Sequence, residues 1–134
     1  MKKLFLLFAL SILFSCSKPD SNATNNPATS ISSGYHPPTW IQGTWGVLDY
    51  TGVPTKFYTF TTDNVCQITT VSKLCWKDAI AQTPTILSGN DTSTATNYTA
   101  SLISGNGTVT LSFEKVSATK ILWNDQNVTL TRIP

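Results

Sequence analysis

Residues 108–114 read TVTLSFE. Val109, Leu111 and Phe113 alternate with Thr108, Thr110, Ser112 and Glu114, a period of two residues. That is the pattern of an antiparallel strand with one face packed and the other wet. Upstream, Tyr98, Ala100 and Leu102 alternate in the same way, and Asn106-Gly107 between the two runs is a strong hairpin signal. Downstream, Lys120–Trp123 and Val128–Ile133 flank the turn-forming Asn124-Asp125-Gln126-Asn127 and form a last hairpin. Thr44–Tyr50, Lys56–Thr61 and Val65–Val71 form an opening meander. Turn residues also punctuate the chain at Thr51–Pro54, Thr62–Asn64, Ser88–Asp91 and Ser104–Gly107. Asp63, Asp91 and Asp125 fall in these turns, where Asx hydrogen bonding accounts for them.

One stretch departs from this rhythm. In SKLCWKDAIAQ (72–82), Leu74, Trp76, Ala79 and Ile80 fit neither strict alternation nor a clean helical stripe. It reads as a short helix near 73–82, with Ser72 as its cap, or else as one more strand. Enrichment in Thr, Val, Ile and aromatics, with little Glu, Lys or Ala, agrees with an all-β domain. The expectation is seven to eight antiparallel strands in an up-and-down meander barrel, because closure removes exposed edges. A two-sheet sandwich is the alternative.

The N-terminus is organised differently. Lys2 and Lys3 precede an apolar run from Leu4 to Phe14, too short for a hydrocarbon core that needs ~20 residues. Charge followed by a short apolar run is the layout of a secretory signal peptide. Leu13-Phe14-Ser15-Cys16 resembles a bacterial lipobox. The resemblance implies a signal peptide at 1–15, cleavage before Cys16, and acylation of Cys16 as a lipid anchor. Residues 16–38 follow as a tether rich in Ser, Asn, Thr and Pro, with too little apolar surface to offset its ordering entropy. The folded domain is then 39–134, and the expected location is the bacterial cell envelope, as an outer-membrane lipoprotein.

Losing the leader removes Lys2 and Lys3 from nine basic residues, leaving seven against seven acidic ones. The mature chain is neutral, with no basic patch or basic helix, and nothing in it suggests nucleic acid. Chemistry for catalysis is missing too. The sole histidine, His36, lies in the tether, and the sole glutamate, Glu114, alternates onto the wet face. No Cys/His cluster has zinc spacing and no glycine-rich loop opens a helix, so neither an enzyme, a metal site nor a cofactor is expected. With Cys16 consumed by lipid, Cys66 and Cys75 remain as an even pair in an exported chain. A disulfide between them is expected, two buried thiols being the alternative.

A family resemblance rests on three places: Trp40-Ile41-Gln42-Gly43-Thr44-Trp45, with Gly-x-Trp on the first strand; Tyr58-Thr59-Phe60-Thr61 on the second; and Leu130-Thr131-Arg132 on the last. Together they resemble the small lipocalin-like (calycin-type) domains carried by Bacteroidetes lipoproteins. The resemblance implies that Trp45 plugs the barrel floor and that Arg132 lies across its ring. Parity agrees, since Val128, Leu130 and Arg132 share one face. The same parity would turn Asp49 inward with Trp45 and Val47, unless a bulge resets the register. A lipocalin-like cavity would be lined by aromatics such as Tyr58, Phe60, Tyr98 and Trp123, although short strands favour a barrel that these rings simply fill. Three roles follow: a module for a small apolar ligand or glycan, an interaction or inhibitor module working through its loops on an envelope protein, or an accessory lipoprotein with no ligand. All three reach the membrane through the N-terminal lipid.

Overall fold

A computed structural model describes residues 30–134; the leader, Cys16 and most of the tether lie outside the described residues. The strands are β1 (Ser30–Ser33), β2 (Gly43–Leu48), β3 (Pro54–Phe60), β4 (Val65–Ile68), β5 (Lys73–Cys75), β6 (Leu87–Ser93), β7 (Asn97–Ser104), β8 (Gly107–Lys115), β9 (Lys120–Trp123) and β10 (Val128–Ile133), with one helix, α1 (Trp76–Gln82). They form a single antiparallel sheet in the order β1-β6-β7-β8-β9-β10-β2-β3-β4-β5. The fold is all-β and meandering, as expected. β7 and β8 pair along their whole length, with Gly105-Asn106 as the tight turn. The last strand lies beside the first strand of the domain, and Arg132 is registered against Trp45.

Two expectations about the barrel need correction. Nine strands, not seven or eight, lie within 39–134, and β1 adds a tenth from the segment read as tether. The sheet also does not close. It curls into a half-barrel whose unpaired edges are β5 and β1, and α1 packs over this open side, touching β4, β5 and β6. β1 and β5 do not pair, and the chain that joins β5 to β6 is helical.

The folded part begins earlier than Thr39. Tyr35 and Pro37 are buried, and the Tyr35 hydroxyl donates to Ser101 O at 2.9 Å. Polar composition had hidden a single aromatic anchor. His36 belongs to this packed segment: its backbone N–H donates to the Asp91 carboxylate. Asp91 itself sits within β6, 3% exposed, not in a turn as expected.

The meander's opening hairpin explains the parity problem at Asp49. A Cβ on Gly46 would stand 2.0 Å from Thr55 O, so β2 and β3 approach each other too closely for any side chain there. The register slips at this point: Trp45 pairs with Tyr58, Gly46 with Lys56, and Phe57 is the extra residue. Asp49 lies just past the end of β2, in the β2–β3 turn, where it is exposed. Asp49 Oδ1 accepts from Thr51 N, Thr51 Oγ1 and Val53 N at 2.8, 2.7 and 2.9 Å, with the Thr51 hydroxyl foremost in holding its carboxyl below the usual range.

α1 takes its N-terminal partner from a distant residue. Cys75 occupies the N-cap without a side-chain bond, and Ser72 is engaged with Thr69 in the β4–β5 turn. Asn64 Oδ1 instead accepts from Lys77 N and Val65 N, both at 2.9 Å. Trp76 is the helix's buried residue, and it packs at 5.7 Å from the Tyr35 ring. The disulfide Cys66–Cys75 joins directly opposed residues of β4 and β5. Alternation on β8 holds for Leu111 and Phe113, whereas Val109 is 51% exposed because it lies beyond the end of the core. Val128, which shares a face with the buried Leu130, is likewise on the surface.

Candidate binding site at the barrel mouth

Strand directions give the half-barrel two distinct ends. The β3–β4, β6–β7 and β8–β9 turns lie at one, here the floor. The β2–β3, β4–β5, β7–β8 and β9–β10 turns lie at the other, the mouth.

The floor is built from the Gly-x-Trp segment. Trp45 is fully buried and its indole N–H donates to Ile41 O at 2.6 Å. Arg132 Cζ lies 4.4 Å from the Trp45 ring centroid, the stacked pairing that parity and resemblance had suggested. The guanidinium also donates from Nη2 to Trp40 O at 2.9 Å, from Nε to Ala118 O at 3.2 Å, and from Nη1 to Gln42 O. It therefore ties the segment before β2 to the β8–β9 turn. Gly43 is needed for this arrangement: its φ is +124°, and a Cβ there would fall 2.5 Å from Arg132 Nη1.

Above the floor, the interior is occupied by rings. Phe60 stands 5.8 Å edge-on to Tyr98 and 5.2 Å from Phe113, while Tyr58 stands 5.2 Å from Phe113 and 5.0 Å from Trp123. Offset and edge-to-face contacts of this kind are favourable beyond the area they bury. Tyr58, Phe60 and Tyr98 are 3%, 1% and 0% exposed. Of the four aromatics named as cavity residues, Phe60 and Tyr98 thus fill the core, and only Tyr58 and Trp123 reach a hollow. The Tyr98 hydroxyl donates to Asp91 at 3.0 Å. Burial first, and then the Asp91 charge, push the Tyr98 and Tyr35 hydroxyls well above the usual phenol range.

The hollow that Tyr58 and Trp123 share is an open groove at the mouth, about 330 Å³, with Phe57, Gln67 and Leu74 on its walls. Phe57 comes within reach of Trp123, ring to ring at 6.4 Å, only because of the bulge. Burial pushes the Tyr58 hydroxyl up to about 12, against a lowering hydrogen bond from Gln67 and with a further rise from Asp125. Gln67 Oε1 accepts from Trp76 Nε1 at 3.2 Å. Trp123 Nε1 is buried with no partner in the protein, an unusual state for an indole N–H. Phe57, Gln67 and Leu74 had not been read from the sequence as site residues. Alternation places Phe57 outside, and no local signal marks the other two.

A second hollow of about 540 Å³ lies at the seam between α1 and β6, with Tyr35, Ile80 and Gly89 on its walls and the Lys77–Asp63 ion pair at its rim. Among the described residues, no group of three His, Cys, Asp or Glu is placed to hold a metal ion, and no helix is long and apolar enough to cross a membrane. No protein family, curated protein or solved structure matches the chain.

Proposed function

We propose that the chain is a cell-envelope lipoprotein, acylated at Cys16, whose small lipocalin-like domain is a protein-interaction module and not a carrier. The observation that supports this best is the filled interior. Tyr58, Phe60, Tyr98 and Phe113 pack against one another, with Trp45 beneath them, in the space where a carrier would hold its ligand. The lipocalin-like reading is supported by the Gly43/Trp45/Arg132 arrangement and by the meander. The lipid anchor is supported by the leader and by Leu13-Phe14-Ser15-Cys16.

Two measurements test this reading. Metabolic labelling with a fatty acid should mark the wild-type chain, and Cys16→Ser should abolish the label and leave precursor; equal labelling of both would refute the anchor. Native mass spectrometry of the detergent-extracted protein should give the acylated chain alone. A stoichiometric apolar adduct would favour a second reading, small-ligand capture in the mouth groove, for which the unpartnered Trp123 N–H offers a donor to a ligand oxygen.

A further inference from the structure

The hollow of about 540 Å³ between α1 and β6 lies outside the packed interior, and its size is that of a small-molecule site. Its walls come from the open side of the sheet. Gly34, at φ +118°, follows β1 and leads the chain to the buried Tyr35. Gly89 of β6 leaves room for that side chain: a Cβ there would fall 2.0 Å from the Tyr35 hydroxyl and 3.0 Å from Ile80 Cδ1. Tyr35, Ile80 and the bare backbone of Gly89 therefore converge, and with Leu87 they give the hollow an apolar wall. Tyr35 is fixed by its bond to Ser101 O and by its contact with Trp76, so this wall is preformed.

The rim of the hollow is charged. Lys77, from α1, donates to Asp63, from the β3–β4 turn, and both side chains belong to the lining. The two side chains are 55% and 53% exposed, so the pair contributes little to stability. It does set one positive and one negative charge side by side at the edge of an apolar wall. An anionic head placed there meets Asp63 as well as Lys77, and a cationic head meets Lys77 as well as Asp63. A dipolar head laid antiparallel to the pair meets an opposite charge at both ends and breaks nothing. His36, also on the lining, keeps its ring beside the Asp91 carboxylate, Nδ1 at 3.9 Å from Oδ1, and leaves the rim pair as the head-group site. We propose that this hollow binds a free apolar α-amino acid, with its ammonium on Asp63, its carboxylate on Lys77 and its side chain against Tyr35, Ile80 and Leu87. A peptide end carries only one of the two charges, and the carboxylate of a fatty acid faces Asp63 with no ammonium to offset it. The inference does not rest on the lipid anchor or on the interaction reading, because the site lies outside the filled interior.

The experiment is an NMR titration of the full chain, purified from the producing cells into detergent-free lipid nanodiscs, with L-phenylalanine. Saturable shifts are expected at Lys77, Ile80, Leu87 and Gly89. Phenylalaninamide, which lacks the carboxylate, and N-acetylphenylalanine, which lacks the ammonium, should each bind about tenfold more weakly. Asp63→Asn leaves Lys77 as a lone cation, so N-acetylphenylalanine should then bind more tightly than the amide. Lys77→Gln should give the opposite order. The thermal melt should be unchanged in both variants, because the pair is exposed. Equal binding of the three ligands by the wild-type chain would make the hollow a nonspecific apolar surface and overturn the proposal. So would tighter binding of either singly charged ligand, shifts confined to the mouth or the floor, or no saturable shift below about 10 mM. Each of these results leaves the interaction reading standing, and a retained apolar adduct in native mass spectrometry leaves this site standing.

Discussion

Trp45→Ala is expected to destabilise the domain by ~3–5 kcal/mol, the range for emptying a buried tryptophan site. Trp45 has no exposed surface, and its indole N–H is bonded to Ile41 O, so the substitution removes a ring and orphans an acceptor. Arg132→Ala should cost ~2 kcal/mol. It loses the stacked contact, which contributes ~0.5–2 kcal/mol depending on desolvation, and it frees carbonyls of Trp40, Gln42 and Ala118 that the guanidinium now serves. Because the two side chains touch, the double variant should fall short of the sum by at least ~0.5 kcal/mol. Arg132→Lys should recover little, since an ammonium keeps the charge but neither the plane nor the fork of donors. Gly43→Ala should resemble Arg132→Ala, because its new Cβ displaces Nη1 and strains a backbone at φ +124°. Urea unfolding followed by far-ultraviolet circular dichroism measures all of these. Additive losses would mean that the arginine's bonds and the tryptophan's packing act independently, and that the floor is not one unit.

The floor was legible in the sequence because parity is local. Leu130 and Arg132 share a face by simple alternation, and an antiparallel meander whose ends meet must bring β10 beside β2. The same holds for Leu111 and Phe113, whose strand has one wet face. The mouth was not legible, because long-range events decide it. Phe57 reaches Trp123 through a register slip caused by the close approach of Gly46 to Thr55, and a lone glycine inside a strand does not say where its partner stands. Asp91 reads as a turn residue by composition. It is buried because the Tyr98 hydroxyl and the His36 N–H converge on it from β7 and from a segment 55 residues upstream. α1 was ambiguous because its N-terminal hydrogen bonds come from Asn64 and not from Ser72. In each case the deciding partner lies on another element, beyond the reach of a periodicity argument. The tether's end was misread for a related reason: one buried Tyr35 outweighs a long polar run around it.

Replacing Cys66 and Cys75 by alanine is expected to lower stability by roughly 2.5–3 kcal/mol, through the unfolded-chain entropy released when a loop of nine residues' separation is no longer closed. For a domain of this size that corresponds to a fall in Tm of about 10–20 °C. The structure also says where the loss is felt first. β5 has three residues and pairs only with β4, and Lys73 and Leu74 are exposed. Its covalent link is the bond from Cys75 to the buried Cys66, and Cys75 is also the N-cap of α1. Without the bond, β5 and the first turn of α1 are held by a short ladder, by Asn64 and by the packing of Trp76 against Tyr35. Hydrogen exchange should therefore accelerate at 73–78 before it does in β7 and β8, whose eight-residue pairing carries the core. This matters for the open side of the half-barrel, because α1 is the element that covers it. Unfolding the unreduced mature protein in the presence of a thiol reagent should reveal no reactive thiol. Two reactive thiols, or a Tm that moves by less than about 3 °C in the double variant, would refute the bond's role in holding the helix over the open side.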